Sequence, residues 1–335
     1  MAFASIGDLA RNLQFRMNNT ELRERLAAAS TEMTTGRRSD VAAALGGDFV
    51  LLAGIERSER LSAVYLRSAV VVAADATTVQ SSLEVLTTFA TPFGSTLAAT
   101  AELGMPSDVR TQTGIARENL EAAFSALNVR GSGGYLLSGQ NSDVPPMTDP
   151  ELMLDQLRAA TAGLTSASDI AAAVDDWFAA PAGAGGFVDF YQGDAGPVAR
   201  HRIGEVETVS LDITAIDPAI RTILGGLAIA SLAGDMFGTD AIKSAALLGE
   251  GADRLVGSSD AIEAVRSRLG RTEQIIEDVT VRTHASLTTS SLLREKLIGI
   301  DTADAATDVL AVQNQLEALY TLTARVQQMK LVNFL

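Results

Sequence analysis

The C-terminal stretch decides the fold: residues 301–335 have the sequence DTADAATDVLAVQNQLEALYTLTARVQQMKLVNFL, without a glycine or a proline. From Ala305, alternating steps of four and three residues lead through a series that is apolar except for one threonine and a final lysine: Val309, Val312, Leu316, Leu319, Thr323, Val326 and Lys330. This heptad spacing predicts one helix with an apolar stripe, roughly 45 Å long at about 1.5 Å per residue. Asp301 or Thr302 is placed to cap its start.

The sequence stays strongly apolar after this stripe, at Leu331, Val332, Phe334 and Leu335. Apolar surface gains about 25 cal/mol per Å² when it leaves water, so we expect such a segment to be covered. The cover is the protein's own core, a partner helix or a neighbouring subunit. The stripe alone leaves these three open.

An N-terminal stretch, residues 6–33, has a similar pattern. Its apolar residues recur at helical spacing in two runs: Ile6, Leu9, Leu13 and Met17, then Leu22, Leu26, Ala29 and Met33. We interpret the polar sequence NNTE at residues 18–21 as a shift of phase between the runs. The two terminal stripes are expected to pair, antiparallel if both ends emerge from the same face of a central body. Gly36 is placed to end the first helix.

Between the terminal stretches, long helical segments enclose a block of mixed character. This block holds most of the prolines and the one tryptophan, and we predict short strands at residues 135–139, 186–191, 200–203 and 206–213. The predicted fold is therefore mainly α with an α+β insert. It is a nested long-helix bundle formed by the N- and C-terminal segments, with a variable domain inserted in the middle.

Three divisions of the chain follow from this pattern. We expect terminal coiled-coil helices at residues 1–39 and 300–335, a helical core domain at residues 40–133 and 236–299, and an inserted α+β domain at residues 134–235. Because each outer division is built from an early and a late segment, the two ends of the chain must meet.

Composition excludes several classes of function. The net charge is -15, with 41 acidic and 26 basic residues, so we expect no nucleic-acid partner. There is no cysteine, which removes disulfides, thiolate metal sites and cysteine nucleophiles. The N-terminal sequence has no basic region followed by an apolar core, so we expect no cleavable signal. The most apolar segments are shorter than the roughly 20 residues of a membrane span, so we expect no membrane insertion.

No set of residues predicts a catalytic, cofactor-binding or metal site. The two histidines, His201 and His284, are isolated from other ligand-type residues in the sequence. The glycine-rich loops at residues 131–134 and 183–186 lack the strand, helix and lysine context of a phosphate loop. The predicted functional residues are instead those of an assembly interface: Ile6, Leu9, Leu13, Met17, Val309, Val312, Leu316, Leu319, Val326, Leu331, Val332, Phe334 and Leu335.

Several short motifs, in order along the whole chain, resemble those of a known family. MTTGRR at residues 33–38, directly after the first helix, resembles the S-T-G-x-R turn of bacterial flagellins and their junction relatives, with Thr34 in place of Ser. GYLLSGQNSDVPP at residues 134–146 looks like the stretch that enters the variable domain, and YQGD at residues 191–194 looks like a strand motif there. The ending, residues 316–335, is similar to that of the hook–filament junction proteins of the hook-associated protein 3 type.

This resemblance implies a non-enzymatic structural protein of the extracellular bacterial flagellum, exported through the flagellar type III channel. Its implied partners are further copies of itself in an axial ring or tube, the hook-side junction protein, filament flagellin and a flagellar export chaperone. No cofactor is implied. A filament flagellin is the alternative within this architecture. A cytoplasmic coiled-coil scaffold or adaptor is the alternative from another class, and an enzyme in the insert has the least support.

Overall fold

The computed structural model describes residues 6–196 and 198–332. The helices are α1 (Ile6–Thr35), α2 (Val41–Ala44), α3 (Val50–Thr88), α4 (Gly94–Leu103), α5 (Pro106–Leu127), α6 (Pro150–Ala160), α7 (Ala167–Ala179), α8 (Phe187–Phe190), α9 (Pro218–Phe237), α10 (Ala241–Gly257), α11 (Ser259–Ile298) and α12 (Thr302–Val332). A π-helical turn, Phe89–Phe93, joins α3 to α4 without a break. The protein is 75% helical, which confirms the mainly α prediction.

The strands are short and form two antiparallel hairpins. β1 (Arg130–Gly131) pairs with β2 (Gly134–Tyr135), and β3 (His201–Arg202) pairs with β4 (Thr208–Val209). The chain divides into two compact units: Met1–Ala63 with His284–Leu335, and Val64–Thr283. We call them the terminal unit and the central unit. This division into compact units does not test the three domains predicted from the sequence, which stay a prediction.

A backbone bridge closes the terminal unit. Gly36 has φ +67°, a left-handed conformation that ends α1, and its carbonyl accepts the Ile300 N–H at 3.0 Å. The Arg38 N–H donates to the Ile298 carbonyl at 2.8 Å, and Arg37 pairs with Gly299 in an antiparallel bridge. The start of α12 therefore lies beside the end of α1.

The central unit is built around α9. Thirteen residues of this helix are buried, from Ala219 to Ala233, and it packs against α5, α7 and α10. Side-chain N-caps begin four helices of this unit: Asp149, Ser166, Asp217 and Asp240 each accept a backbone N–H of the first turn. Burial of a helix on several sides explains why its sequence is apolar all round.

Two glycines let α9 and α10 approach closely. A methyl group added at Gly251 of α10 would lie 2.8 Å from the Gly226 carbonyl oxygen of α9 and 3.1 Å from the Ala230 nitrogen. A methyl at Gly226 would lie 2.8 Å from Leu255 Cγ. Backbone atoms cannot move aside as a flexible side chain does, so these positions require glycine for packing rather than for an unusual φ.

The structure corrects the predicted strands of the middle block. The segment at residues 186–191 is not a strand, because Phe187 and Phe190 lie one helical turn apart in α8 and are both buried beside Trp177. The other predicted strands shrink to the two-residue segments of β2, β3 and β4. Loops and helices α6–α8 make up most of this region.

We predict that Gly251→Ala destabilises the central unit by roughly 1–2 kcal/mol, because the added methyl forces α9 and α10 apart. The matched control is Gly270→Ala in α11, where nothing lies within 4 Å of the added methyl. That change is expected to stabilise by about 0.5–1 kcal/mol through helix propensity. Denaturant unfolding followed by Trp177 fluorescence measures both. Equal denaturation midpoints for the two variants would contradict the close approach of α9 and α10 at Gly251.

Candidate assembly interface

The terminal unit contains a long antiparallel hairpin of α1 and α12, whose facing residues we call the seam. On α12, Ala305 and Leu316 are buried, and the other heptad positions up to residue 326 are partly buried: Val309, Val312, Leu319, Thr323 and Val326. The predicted C-terminal stripe therefore faces α1. On α1, the less exposed positions follow the same alternation of four and three: Phe15, Asn19, Leu22, Leu26 and Ala29.

The predicted N-terminal stripe departs from the seam at Leu13 and Met17, the two members of its first run whose side chains the structure describes. Leu13 and Met17 are 59% and 63% exposed, while Phe15 and Asn19 occupy the seam. The predicted phase shift at residues 18–21 is wrong, because the seam continues through the polar run at Asn19. Regular spacing backwards from Ala29 and Leu22 leads to Phe15, and this signal was available in the sequence.

A polar contact accommodates Asn19 and sets the register of the hairpin. Arg23 Nη2 donates to the Tyr320 hydroxyl at 3.1 Å, and Asn19 hydrogen-bonds the same hydroxyl. The Arg23 bond, followed by that of Asn19, lowers the pKa of Tyr320. Because residue 23 meets residue 320 and residue 37 meets residue 299, the two helices run antiparallel.

Apolar side chains also project away from the seam. Leu13 and Met17 on α1, with Leu310 and Leu322 on α12, are all more than half exposed, and we call these four residues the outer face. Full burial of such a side chain contributes about 1.5–3 kcal/mol. The hairpin thus covers its seam by itself, while the outer face stays exposed.

Part of the predicted interface cannot be placed. The side chains of Ile6, Leu9, Leu331 and Val332, and all of Phe334 and Leu335, lie outside the described part of the structure. Among the predicted residues that are described, Leu316 and Val309 belong to the seam, whereas Leu13 belongs to the outer face. Sequence reasoning missed Phe15, Asn19, Arg23, Tyr320, Leu310 and Leu322.

In the central unit, the two motifs that carried the resemblance interlock. The Tyr191 hydroxyl donates to the Leu137 carbonyl at 3.0 Å, and the Asp194 N–H donates to the Ser138 carbonyl at 2.8 Å. The pKa of Tyr191 is raised, chiefly by burial. Gly139 has φ +67°, and a methyl there would collide with the Asp194 carbonyl. The contact between residues 134–146 and residues 191–194 therefore requires a glycine at position 139 and a hydroxyl donor at position 191.

The glycine-rich loops hold carboxylates of the protein itself. Ser132 N–H and Oγ donate to Asp75 at 3.1 and 2.9 Å, and the N–H groups of Gly183 and Gly185 donate to Asp189 at 2.7 and 2.6 Å. These bonds from Gly183 and Gly185 lower the pKa of Asp189. A phosphate would have to displace these side chains, so both loops act as turns. Over the described residues, no cluster of three metal-ligating side chains occurs.

Two helical stretches within the described ranges pass a length-and-composition test for crossing a membrane, Val50–Leu103 and Pro218–Phe237. The sequence analysis predicted apolar segments shorter than a membrane span, and these two helices reach that length. In Pro218–Phe237, 67% of the apolar window is buried inside the protein. Its apolar character is explained by its place at the centre of the core.

Comparison with known families relates the C-terminal part of the chain to a described family. Residues 242–335 match the family described as the bacterial flagellin C-terminal helical region, which spans nearly all of α10 together with α11 and α12. No curated protein matches the chain. The match supports the flagellin superfamily, whose members are non-enzymatic structural proteins that self-assemble into extracellular flagellar polymers.

We predict that Tyr191→Phe destabilises the central unit by about 0.5–1.5 kcal/mol, since the hydrogen bond of the hydroxyl to the Leu137 carbonyl is lost while the Ala215 N–H still donates to that carbonyl. Tyr135→Phe is the control, because the Tyr135 hydroxyl makes no hydrogen bond to another described residue. Thermal unfolding monitored at Trp177 compares the two. An equal loss of thermal stability in both variants would mean that the hydrogen bond of the Tyr191 hydroxyl does not stabilise the central unit.

A second pair of variants separates the seam from the outer face. Leu316→Asp places a carboxylate in the seam and is expected to cost several kcal/mol, with loss of helical signal in far-ultraviolet circular dichroism. Leu310→Asp, at a position 61% exposed, should leave the hairpin folded. We expect self-assembly, followed by sedimentation, to fail in both. Normal assembly of Leu310→Asp would remove Leu310 from the interface.

Proposed function

We infer from the flagellin-type C-terminal region that this chain is a structural component of the bacterial flagellum, and we propose that it is the hook–filament junction protein. The observation that carries the self-assembling role is the outer face of the hairpin, where Leu13, Met17, Leu310 and Leu322 stay exposed although the seam is filled. The junction assignment is supported by the sequence of residues 316–335, which is similar to that of junction proteins.

In this proposal the terminal hairpins line the inner tube of the assembly. Residues 1–39 and 300–335 supply the tube, residues 40–133 and 236–299 the helical core domain, and residues 134–235 the inserted domain. Further copies of the chain, the hook-side junction protein and filament flagellin are the proposed neighbours. An export chaperone and the flagellar type III channel, without a cleavable signal, complete the proposed route.

The filled seam argues against the scaffold or adaptor alternative. An adaptor of the coiled-coil type needs an open apolar stripe for a partner helix. Here the stripe of α12 lies against α1 of the same chain, with Leu316 and Ala305 buried. What remains exposed is a surface on the other sides of the hairpin, which suits lateral packing of whole hairpins.

Deletion of the gene in the source bacterium tests the assignment. We expect hooks without filaments under the electron microscope, together with filament protein released into the medium, because flagellin would be exported without a surface on which to polymerise. Complementation with the wild-type gene should restore filaments, and Leu310→Asp should not.

The released protein distinguishes the candidates. Hooks without filaments and without filament protein in the medium would identify a filament flagellin instead. Normal swimming filaments in the deletion strain would contradict both flagellar assignments.

A further inference from the structure

The helical segment made of α3, the π-helical turn and α4 is interrupted in its middle. In the π-helical turn, Phe89–Phe93, the Gly94 N–H donates to the Phe89 carbonyl, which lies five residues back instead of four. Pro92 lies inside this turn and has no N–H, so it cannot donate to the preceding turn of helix. Bends in long helices occur at features of this kind.

The helical segment made of α10 and α11 is interrupted as well, at Ser258. α10 ends at Gly257 and α11 begins at Ser259, while Ser258 between them is only 1% exposed. The Ser258 hydroxyl donates to the Leu255 carbonyl at 2.6 Å. The Ser259 hydroxyl likewise donates to the Val256 carbonyl at 2.7 Å. Serine hydroxyls that bond back to the preceding turn weaken a helix and often bend it.

The two interruptions face each other inside the central unit. A methyl group added at Gly94, the first residue of α4, would lie 3.0 Å from Leu255 Cβ and 3.3 Å from the Val256 nitrogen. α10 also packs against the π-helical turn itself. Two neighbouring helical segments therefore approach closely at the level where both are interrupted, so that one bend could pass through both.

An exposed ion pair spans the interruption at Ser258. Asp217, which caps the start of α9, accepts a hydrogen bond from Arg268 of α11 at 2.8 Å. α9 packs along α10, before the interruption, whereas Arg268 lies ten residues beyond Ser258. The Arg268 side chain is 52% exposed, so this pair contributes little to stability and opens at little cost. A bend at Ser258 would break this contact.

We propose that the two facing interruptions form a joint, at which α3 and α11 bend together relative to α4 and α10, and that the ion pair of Asp217 with Arg268 is its latch. The regular pattern of backbone hydrogen bonds is interrupted in both segments at this level, so a bend here disrupts fewer bonds than a bend in an unbroken helix. Phe89 and Ala90 of the π-helical turn are buried, which limits the bend to angles that keep them covered.

The joint goes beyond the proposed function, which requires only that copies assemble. A chain with such a joint has more than one shape available before any neighbour binds, and binding of a neighbour selects among these shapes. Use of the joint during assembly rests on the proposed function. The bending itself is a property of the single chain and is measured without assembly.

Distances between spin labels test the joint, and the chain has no native cysteine to interfere. One labelled pair is Ser81→Cys with Ala99→Cys, at exposed positions on either side of the π-helical turn. The control pair is Ser267→Cys with Ala285→Cys, exposed within the unbroken helix α11. Each pair is separated by eighteen residues, roughly 27 Å at about 1.5 Å per residue. Double electron–electron resonance should give a distance distribution about twice as broad across the joint as within α11.

Substitutions at the joint and at its latch should change this breadth in opposite directions. Pro92→Ala combined with Ser258→Ala supplies the missing N–H and removes the hydroxyl, so we expect the distribution to narrow towards that of α11. Arg268→Gln removes the ion pair and should broaden the distribution. Arg271→Gln, at an exposed arginine of the same helix, is the matched control and should leave the breadth unchanged. Circular dichroism verifies that each variant keeps its helices.

The outcomes separate the joint, the latch and the proposed function. Equal breadths for the two labelled pairs would show a rigid kink and overturn the joint, whether or not the doubly substituted chain folds. No narrowing in a folded chain with Pro92→Ala and Ser258→Ala would refute the assignment of the bend to these interruptions. An unchanged breadth in Arg268→Gln would refute the latch. Because the labels are read in dilute single chains, a failure to self-associate would contradict the proposed function and leave the joint standing.

Discussion

The backbone hydrogen bonds between residues 36–38 and 298–300 hold two distant parts of the chain side by side, and the hairpin depends on them. Once Gly36 has turned the chain and its carbonyl has accepted the Ile300 N–H, α1 and α12 run along each other from a common start. Glu32 secures the same turn, since its Oε1 accepts the N–H and the hydroxyl of Ser39 at 2.7 and 2.8 Å. Every seam contact follows from this shared origin.

Sequence spacing was sufficient to predict the helical architecture because long helices bury continuous stripes. From Ala305 to Val326 the less exposed positions of α12 fall on the heptad spacing, and Gly36 does end the first helix. Spacing was misleading where a polar residue occupies an apolar position. Asn19 fits the seam only because its side chain hydrogen-bonds Tyr320 on the facing helix, and a partner about three hundred residues away leaves no trace in local periodicity.

Short-range patterns were also insufficient in the middle block. Alternating apolar and polar residues predicted strands there, yet the backbone is held mostly by contacts between loops, such as that of Tyr191 with the Leu137 carbonyl. Likewise, the glycine-rich loops could be recognised as turns, but not as turns around Asp75 and Asp189. The outer face was missed because a sequence alone cannot distinguish exposed leucines, such as Leu310 and Leu322, from buried ones.

Pairing of α1 with α12 also governs when the terminal unit is able to fold. Arg23 contacts Tyr320, which is synthesised near the end of the chain, so the seam of α1 stays uncovered until the C-terminal helix has been synthesised or transported. Contacts of such long sequence separation form late, because the closure entropy of the whole loop must be overcome first. The seam of the hairpin can therefore form only after both the N-terminal and the C-terminal helix are available to pair.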